Sequence, residues 1–366
     1  MLLRLRIPML AALPLTLMLG GCATTPDTES GSGADLAWGT KERSTLEPDM
    51  GFRHLQADTV SDATVHELRH SAISLLEQAT ESTNPLLRAN AIEALQHAPA
   101  FAEPRLRDAL RDRNRGVRFV ATMVVGDLEM TALRRDVRPL LDDPSASVRA
   151  AAIYAMTRCG ADVDPSPLGA MIVSDDLEIR GNSALVLGRL GDATAMPLLR
   201  DAMDRTSVRR SIAANRLVEL QIAEAMFRLS ETASALQMIR SALFTPAEQG
   251  EITVLACQIL GELGDAAYRT TLVDKAGRVG ERQEPAEIRL AAARAVAILT
   301  PEQAPIEPVL SYVGSDAFTI RAQAAHALGY FNDVSVRPTL TTMLHDPNAM
   351  VQVAAAGAIL RAFPDR

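Results

Sequence analysis

The chain has 366 residues, of which 37 are Lys or Arg and 45 are Asp or Glu, giving a formal charge of −8 at pH 7. Phosphate contacts need a basic surface, so this balance argues against nucleic-acid binding. Only 4% of the residues are aromatic, which leaves Ala, Leu and Val to do the packing.

Residues 1–21 read as a secretory signal. Arg4 and Arg6 form a short basic head, residues 7–18 are an apolar run too short to span a bilayer, and small residues follow. The run ends in Leu19-Gly20-Gly21-Cys22, which resembles the lipobox of bacterial lipoproteins. That resemblance implies cleavage before Cys22 and acylation of Cys22 by fatty acids such as palmitate. With Ala23 rather than Asp behind the cysteine, it also implies the periplasmic face of the outer membrane in a Gram-negative envelope. Loss of Arg4 and Arg6 takes the charge from −8 to −10. No later segment is long and apolar enough to cross a membrane. Residues 22–60 are rich in Pro, Gly, Ser, Thr and charge with no sustained period, and read as a flexible tether reaching roughly 35 Å. The single tryptophan, Trp38, lies in it.

Residues 61–83 are expected to form an N-terminal capping helix, with Val65, Leu68, Ala72, Leu75, Leu76 and Ala79 on one stripe. Within it His66, Glu67 and His70 spell H-E-x-x-H, the pattern of zinc peptidase helices. The two histidines stand one turn apart, but no third ligand is in reach: Glu77 and Glu81 lie two or more turns beyond His70. Arg69 also sits where such helices carry an uncharged residue. The match reads as a chance pair on a capping helix, so no catalytic residue, metal or cofactor is assigned.

From residue 84 to 366 the chain repeats. The segment 179–192, "IRGNSALVLGRLGD", aligns with segments starting at 87, 117, 148, 218, 252, 288, 320 and 351, giving nine copies. The first position is always aliphatic: Leu87, Val117, Val148, Ile179, Val218, Ile252, Ile288, Ile320 and Val351. Positions 1, 5, 8, 9 and 12 fall within about a third of a turn, so each copy predicts a helix with one apolar stripe. A partner helix precedes each, as in 133–143 and 336–346. Asp192, Asp265 and Asp333 stand where a side-chain oxygen caps the next helix. The second position is Arg in six copies: Arg88, Arg118, Arg149, Arg180, Arg289 and Arg321. This ladder is read as structural, pairing with turn residues such as Asp143, Asp175 or Asp316, because a guanidinium fork suits carboxylate and carbonyl oxygens.

The aliphatic-Arg-x-x-Ala opening and the Leu-Gly-x-Leu-Gly-Asp close, intact at 187–192 and 260–265, resemble the HEAT repeat family in its short bacterial form, often grouped with phycobilisome-lyase HEAT-like repeats. The spacing departs once, where 39 residues separate Arg180 from Glu219, so residues 204–216 add a turn or loop. The resemblance implies an all-α fold: a right-handed α-solenoid, or superhelix, of about nine HEAT-like helical hairpins. One hairpin cannot bury its stripe alone, so neighbours must stack. Cys159, in a column otherwise filled by Leu190, Leu229 and Leu263, and Cys257, in a column shared with Ala293 and Ala325, read as small core residues too far apart to bond.

In HEAT-like stacks the second helices line the concave face. Columns 3, 7 and 10 are expected to face away from the core, placing Phe119, Met123, Tyr154, Leu185, Leu220 and Phe227 on an apolar strip that binds a protein or peptide, with Glu224, Arg294 and His326 adding polar contacts. His97, His326 and His345 lie in different repeats and read as solvated or edge residues. The function that follows is a monomeric, non-catalytic interaction scaffold or adaptor, tethered to the envelope by lipid. The alternative is an accessory enzyme or chaperone-like factor, after the bilin-lyase branch or a zinc hydrolase.

Overall fold

The computed structural model describes residues 62–205, 210–230, 233–280, 283–331 and 333–364. The signal, Cys22 and the tether lie outside the described residues. Within them the chain is helical, with no strand.

The helices alternate between two roles. One set packs side by side: α2 (Pro85–Leu95), α4 (Arg115–Asp127), α6 (Ala146–Arg158), α8 (Leu177–Leu190), α10 (Ile212–Ser230), α12 (Gly250–Leu263), α14 (Ala286–Leu299), α16 (Phe318–Leu328) and α18 (Ala349–Ala362). The other set lies outside them, each helix wedged against its neighbours in the first set: α1 (Asp62–Ala79), α3 (Pro99–Ala109), α5 (Arg134–Val137), α7 (Pro167–Met171), α9 (Met196–Met203), α11 (Ala233–Ser241), α13 (Arg269–Gly277), α15 (Ile306–Leu310) and α17 (Val336–Met343). The inner helices coincide with the nine repeat copies. The long spacing before Glu219 is partly absorbed by α10, which at 19 residues is the longest inner helix.

Short signals set the helix ends. Asn84, Asn114, Asp176 and Asn348 accept backbone N–H groups in the first turns of α2, α4, α8 and α18. The Leu-Gly-Asp close has a mechanical reading. Gly191 (φ 74°) and Gly264 (φ 75°) end α8 and α12 in the left-handed conformation. The next residues, Asp192 and Asp265, then accept the N–H of Thr194 and Ala267 to start the following outer turn. Asp333 does the same for Ser335.

The core is continuous along the whole stack. Val148 and Ile320 are buried as the periodicity requires, and Ile179 is half-buried against the core. All nine aliphatic side chains of the ninth column, from Leu95 to Ile359, are buried. Each fully buried Leu or Ile contributes roughly 1.5–3 kcal/mol relative to exposure, so stacking is what makes each hairpin stable.

The stack closes on itself. The last inner helix, α18, packs against the first, α2, and α1 sits over that junction as other outer helices sit over theirs. The stripe expected to cap one open end therefore seals both ends at once: α1 fills the outer position of the first hairpin. A Cβ added at Gly357 on α18 would stand 3.0 Å from the Ala94 Cβ on α2. The result is a ring of nine inner helices, counted among the described residues.

The interfaces around the ring alternate. Gly126, Gly188, Gly261 and Gly329 occupy one column, on α4, α8, α12 and α16. A Cβ at Gly188, Gly261 or Gly329 would meet the Cα of Ala225, Ala295 or Ala358 on the next inner helix at 2.8, 3.0 or 2.7 Å. Missing side chains let these backbones approach closely. The inner helices thus form four tight pairs, and α2 is the unpaired ninth that joins the last pair to the first.

Candidate functional site

The seventh and eleventh positions of each repeat lie one turn apart on the inner helices and face the ring axis. In an alanine-rich stack these positions hold much of the buried and half-buried charge and polarity: Glu93 on α2 and His97 just after it, Asp127 on α4, Tyr154 and Arg158 on α6, Arg189 on α8, Glu224 and Arg228 on α10, Gln258 and Glu262 on α12, Arg294 on α14, His326 on α16 and Tyr330 just after it, and Arg361 on α18.

Contacts from one inner helix to the next, or to the one beyond it, link these groups into a chain around the ring. Arg189 donates to both carboxylate oxygens of Asp127, at 3.0 and 2.8 Å, reaching past α6 to do so. Tyr154 donates its hydroxyl to Asp127 Oδ1 at 2.6 Å, and burial beside that carboxylate pushes the phenol well above its ordinary range. Arg228 pairs with Glu224 at 2.6 Å and reaches Glu262 at 3.6 Å. Arg294 donates to Glu262 at 3.4 Å and to the Tyr330 hydroxyl at 3.0 Å. The Tyr330 ring carries two cations, with the Arg294 and Arg361 guanidinium carbons 4.5 and 4.0 Å from its centroid.

Burial and these cations tune the titratable groups. Glu93 is pushed up to about 7 by burial, against the pull of Arg361, Arg189 and Arg294. Burial also pushes Glu262 upward. His97 is lowered to about 3 by burial and by Arg361 and Arg69. His326 is lowered well below its ordinary value by burial, Arg294 and Arg361. Both imidazoles are therefore neutral. The expectation that His97 and His326 share no constellation is corrected here: ring closure brings α2 beside α18, one helix from α16, and His97 acts on His326 through its field. His345 stays exposed on the turn after α17.

The predicted apolar strip is not a surface. Met123, Leu220, Tyr154 and Phe119 are buried, at 0, 0, 3 and 6% exposure, while Leu185 and Phe227 are half-buried against the core. Close approach of adjacent inner helices turns columns 3 and 10 into helix–helix contacts, and closure of the ring covers column 7, which holds Met123, Tyr154 and Leu185. Tyr154, for example, lies over Gly126, where an added Cβ would sit 2.6 Å from its ring. Glu224, Arg294 and His326, expected only as accessory polar contacts, belong to the lumen itself.

The Arg ladder runs along one rim, at the turns between outer and inner helices. Arg88 makes a two-pronged contact with Asp112 at 2.7 and 2.8 Å and donates to the Ser82 carbonyl. Arg118 grips Asp143 in the same way and donates to the Asp112 carbonyl, and Arg149 donates to the Asp143 carbonyl. Arg321 pairs with Asp346 and donates to the Ser315 and Asp316 carbonyls. Those bonds hold the Asp346 carboxyl below its ordinary range. Arg180 bonds the carbonyls of Ser174 and Arg205, and Arg289 the Ala276 carbonyl and the Tyr312 hydroxyl. The Asp175 partner expected for Arg180 acts only through its field. In the last repeat Gln352 takes the Arg position and bonds the Asp346 carbonyl. Arg88, Arg118, Arg180, Arg289 and Arg321 tie one turn to the next, while Arg149 and Gln352 brace only their own turns.

In the H-E-x-x-H segment, His66, Glu67 and His70 are exposed on α1, while Arg69 between them is buried. Arg69 donates to the carbonyls of Leu360 and Phe363 at the end of α18. The residue that breaks the zinc pattern is thus the one that helps close the ring. Among the described residues no group of three or more His, Cys, Asp or Glu side chains is placed to hold a metal. Cys159 and Cys257 are buried and free, and burial pushes the Cys257 thiol up to about 12. No described helix is long and apolar enough to cross a membrane.

A family model described as HEAT repeats matches residues 72–157, 135–218 and 279–360. Among solved structures, the chain is similar to Kap121p, with 12% identity, 82% of this chain and 42% of that chain covered, and a TM-score of 0.33. It is also similar to the karyopherin Kap121p bound to the SUMO protease Ulp1p, with 13% identity, 85% and 42% covered, and a TM-score of 0.34. The chain spans less than half the length of these structures. No curated protein matches it significantly.

Proposed function

Because the chain belongs to the HEAT repeat family, we propose that it is a non-catalytic helical-repeat scaffold that binds a protein or peptide partner, held to the cell envelope by lipid on Cys22. The observation that carries this reading is a run of exposed apolar side chains on the rim. Ile212, Phe244 and Val279 are 83, 64 and 74% exposed. They stand at the outer-to-inner junctions of three successive hairpins, Ile212 as the first residue of α10 and Phe244 and Val279 in the turns before α12 and α14. Lys275 on α13 lies 5.9 Å from the Phe244 ring centroid, joining that turn to the next hairpin. Exposed apolar groups in series on an otherwise polar rim fit a protein contact. The scaffold acts as a monomer, since a ring leaves no terminal repeat for a second copy to cover.

Two measurements test the proposal. Crosslinking in the native envelope, followed by mass spectrometry, is expected to place the partner on the turns at 244 and 279, and Phe244→Ser with Val279→Ser is expected to abolish that crosslink. Cys22→Ser is expected to move the protein from the membrane fraction to the soluble periplasmic fraction. A partner crosslink unaffected by the rim variants, or an unchanged fractionation, overturns the corresponding half.

A further inference from the structure

Where α14, α16, α18 and α2 face the axis, the lumen holds positive charge that its neighbours do not neutralise. Arg189 is matched by Asp127, and Arg228 by Glu224. Arg294 shares Glu262 with Arg228, and its Nε is buried with no hydrogen-bond partner. Arg361 rests on the face of Tyr330 and makes no hydrogen bond or ion pair with any described residue. His97 Nε2 is likewise buried and unpartnered. Glu93, the nearest acid on α2, is 8% exposed, and its carboxyl has no hydrogen-bond or ion-pair partner among the described residues.

We propose that this sector of the lumen binds a small oxyanion, a carboxylate or phosphate group, between the Arg361 and Arg294 guanidiniums with His97 beside it. A buried charge without a partner is costly, and unsatisfied buried donors call for a ligand. Two guanidiniums converging on one aromatic ring present forked donors that match an oxyanion. The anion would complete the pairing that Asp127 and Glu224 supply elsewhere in the lumen.

Glu93 regulates the site. Protonated, it donates a hydrogen bond to the anion; ionised, it repels the anion and competes for Arg361. The charged groups acting on it are Arg361 on α18, Arg294 on α14, Arg189 on α8 and Asp127 on α4. His97 on its own helix stays neutral. Binding is therefore tighter on the acid side of neutrality. The site does not depend on the lipid anchor or on the rim contact.

The test is calorimetric titration of the full chain with inorganic phosphate and, separately, with succinate, at pH 6 and pH 8 and constant ionic strength in chloride. One saturable site for either anion is expected, up to about ten-fold tighter at pH 6, the limit set by one group titrating near 7; which anion binds identifies the chemical class. Arg361→Gln is expected to weaken binding at least ten-fold, while Arg278→Gln, on the exposed rim, binds as the parent does. Glu93→Gln is expected to lose the parent's pH dependence apart from the change that the anion's own ionisation between pH 6 and pH 8 produces. No saturable heat with either anion overturns the proposal. So does equal binding by the Arg361 and Arg278 variants, which would mark an adventitious ion only. Should Arg361→Gln fail to fold by circular dichroism, the near-isosteric Glu93→Gln decides: retention of the parent's pH dependence overturns the site.

Discussion

Arg69 and Leu360 are 291 residues apart in sequence, yet Arg69 Nη1 lies 3.2 Å from the Leu360 carbonyl oxygen. The last carbonyls of a helix have no partner within it, and here an arginine from the first helix supplies one. Arg69→Met keeps much of the packing volume but removes these donors. It is expected to destabilise the fold by roughly 2–3 kcal/mol. Hydrogen exchange should rise first in α1 and α18. Uniform exchange changes around the ring would show that Arg69 does not fasten the junction.

The rim ladder predicts a second loss. Arg118 joins the Asp143 carboxylate to the Asp112 carbonyl, and both side chains of the ion pair are largely buried. Arg118→Met strands Asp143 and is expected to cost roughly 2–4 kcal/mol in urea unfolding. Pairing it with Asp143→Asn should recover part of that loss. Arg118→Lys should fall between parent and Met, because an ammonium cannot reproduce the fork.

Close backbone approach makes the ring intolerant of a methyl group. Ala is the better helix former by about 1 kcal/mol, so propensity alone favours Gly329→Ala. The added Cβ, however, would stand 2.7 Å from the Cα of Ala358. Overpacking typically costs 1–3 kcal/mol and should win. Gly277, whose Cβ position is open, is the control. A lower melting temperature for Gly329→Ala than for Gly277→Ala is expected.

Glu93 makes stability depend on pH. Its folded value, about 7, lies above the ordinary 4.5 because of burial. The folded state therefore keeps a proton that the unfolded chain releases, and this term weakens the fold as pH rises from 4.5 to about 7. Glu93→Gln removes the ionisation and is expected to stabilise by on the order of 2–3 kcal/mol at pH 8, with no gain at pH 4. Melting curves at the two pH values check the sign. A variant less stable than the parent at pH 8 would refute it.

The repeat was legible because its physics is local. Aliphatic first and ninth columns, Asp at the turn and Arg in the second column are each fixed by contacts within one or two hairpins, and the Arg118–Asp143 rung could be read from spacing. Closure was not legible. The α1 stripe of Leu68, Ala72 and Leu76 looks the same whether it covers one end of a stack or two. Whether a stack curls into a ring depends on a small rotation summed over all nine interfaces, four of them the tight glycine pairs. Tyr154 and Met123 were misplaced for this reason: an open groove exposes their columns, whereas a ring buries them. Glu93, Arg189 and Arg361 carried a signal, charge on the helix face of an alanine-rich stack, but no partner within reach in sequence.

Open repeat arrays fray from their termini, shedding one unit at a time while the rest stays folded. A circle has no terminus to shed. Detaching any unit means breaking an interface on each of its sides at once, so partial unfolding is penalised wherever it begins. Heating this protein should therefore give a single sharp transition, and deleting α18 should give a broad one. The same geometry puts residues 62 and 364 at neighbouring helices, so a chain rejoined there and cut within 206–209 should regain the fold.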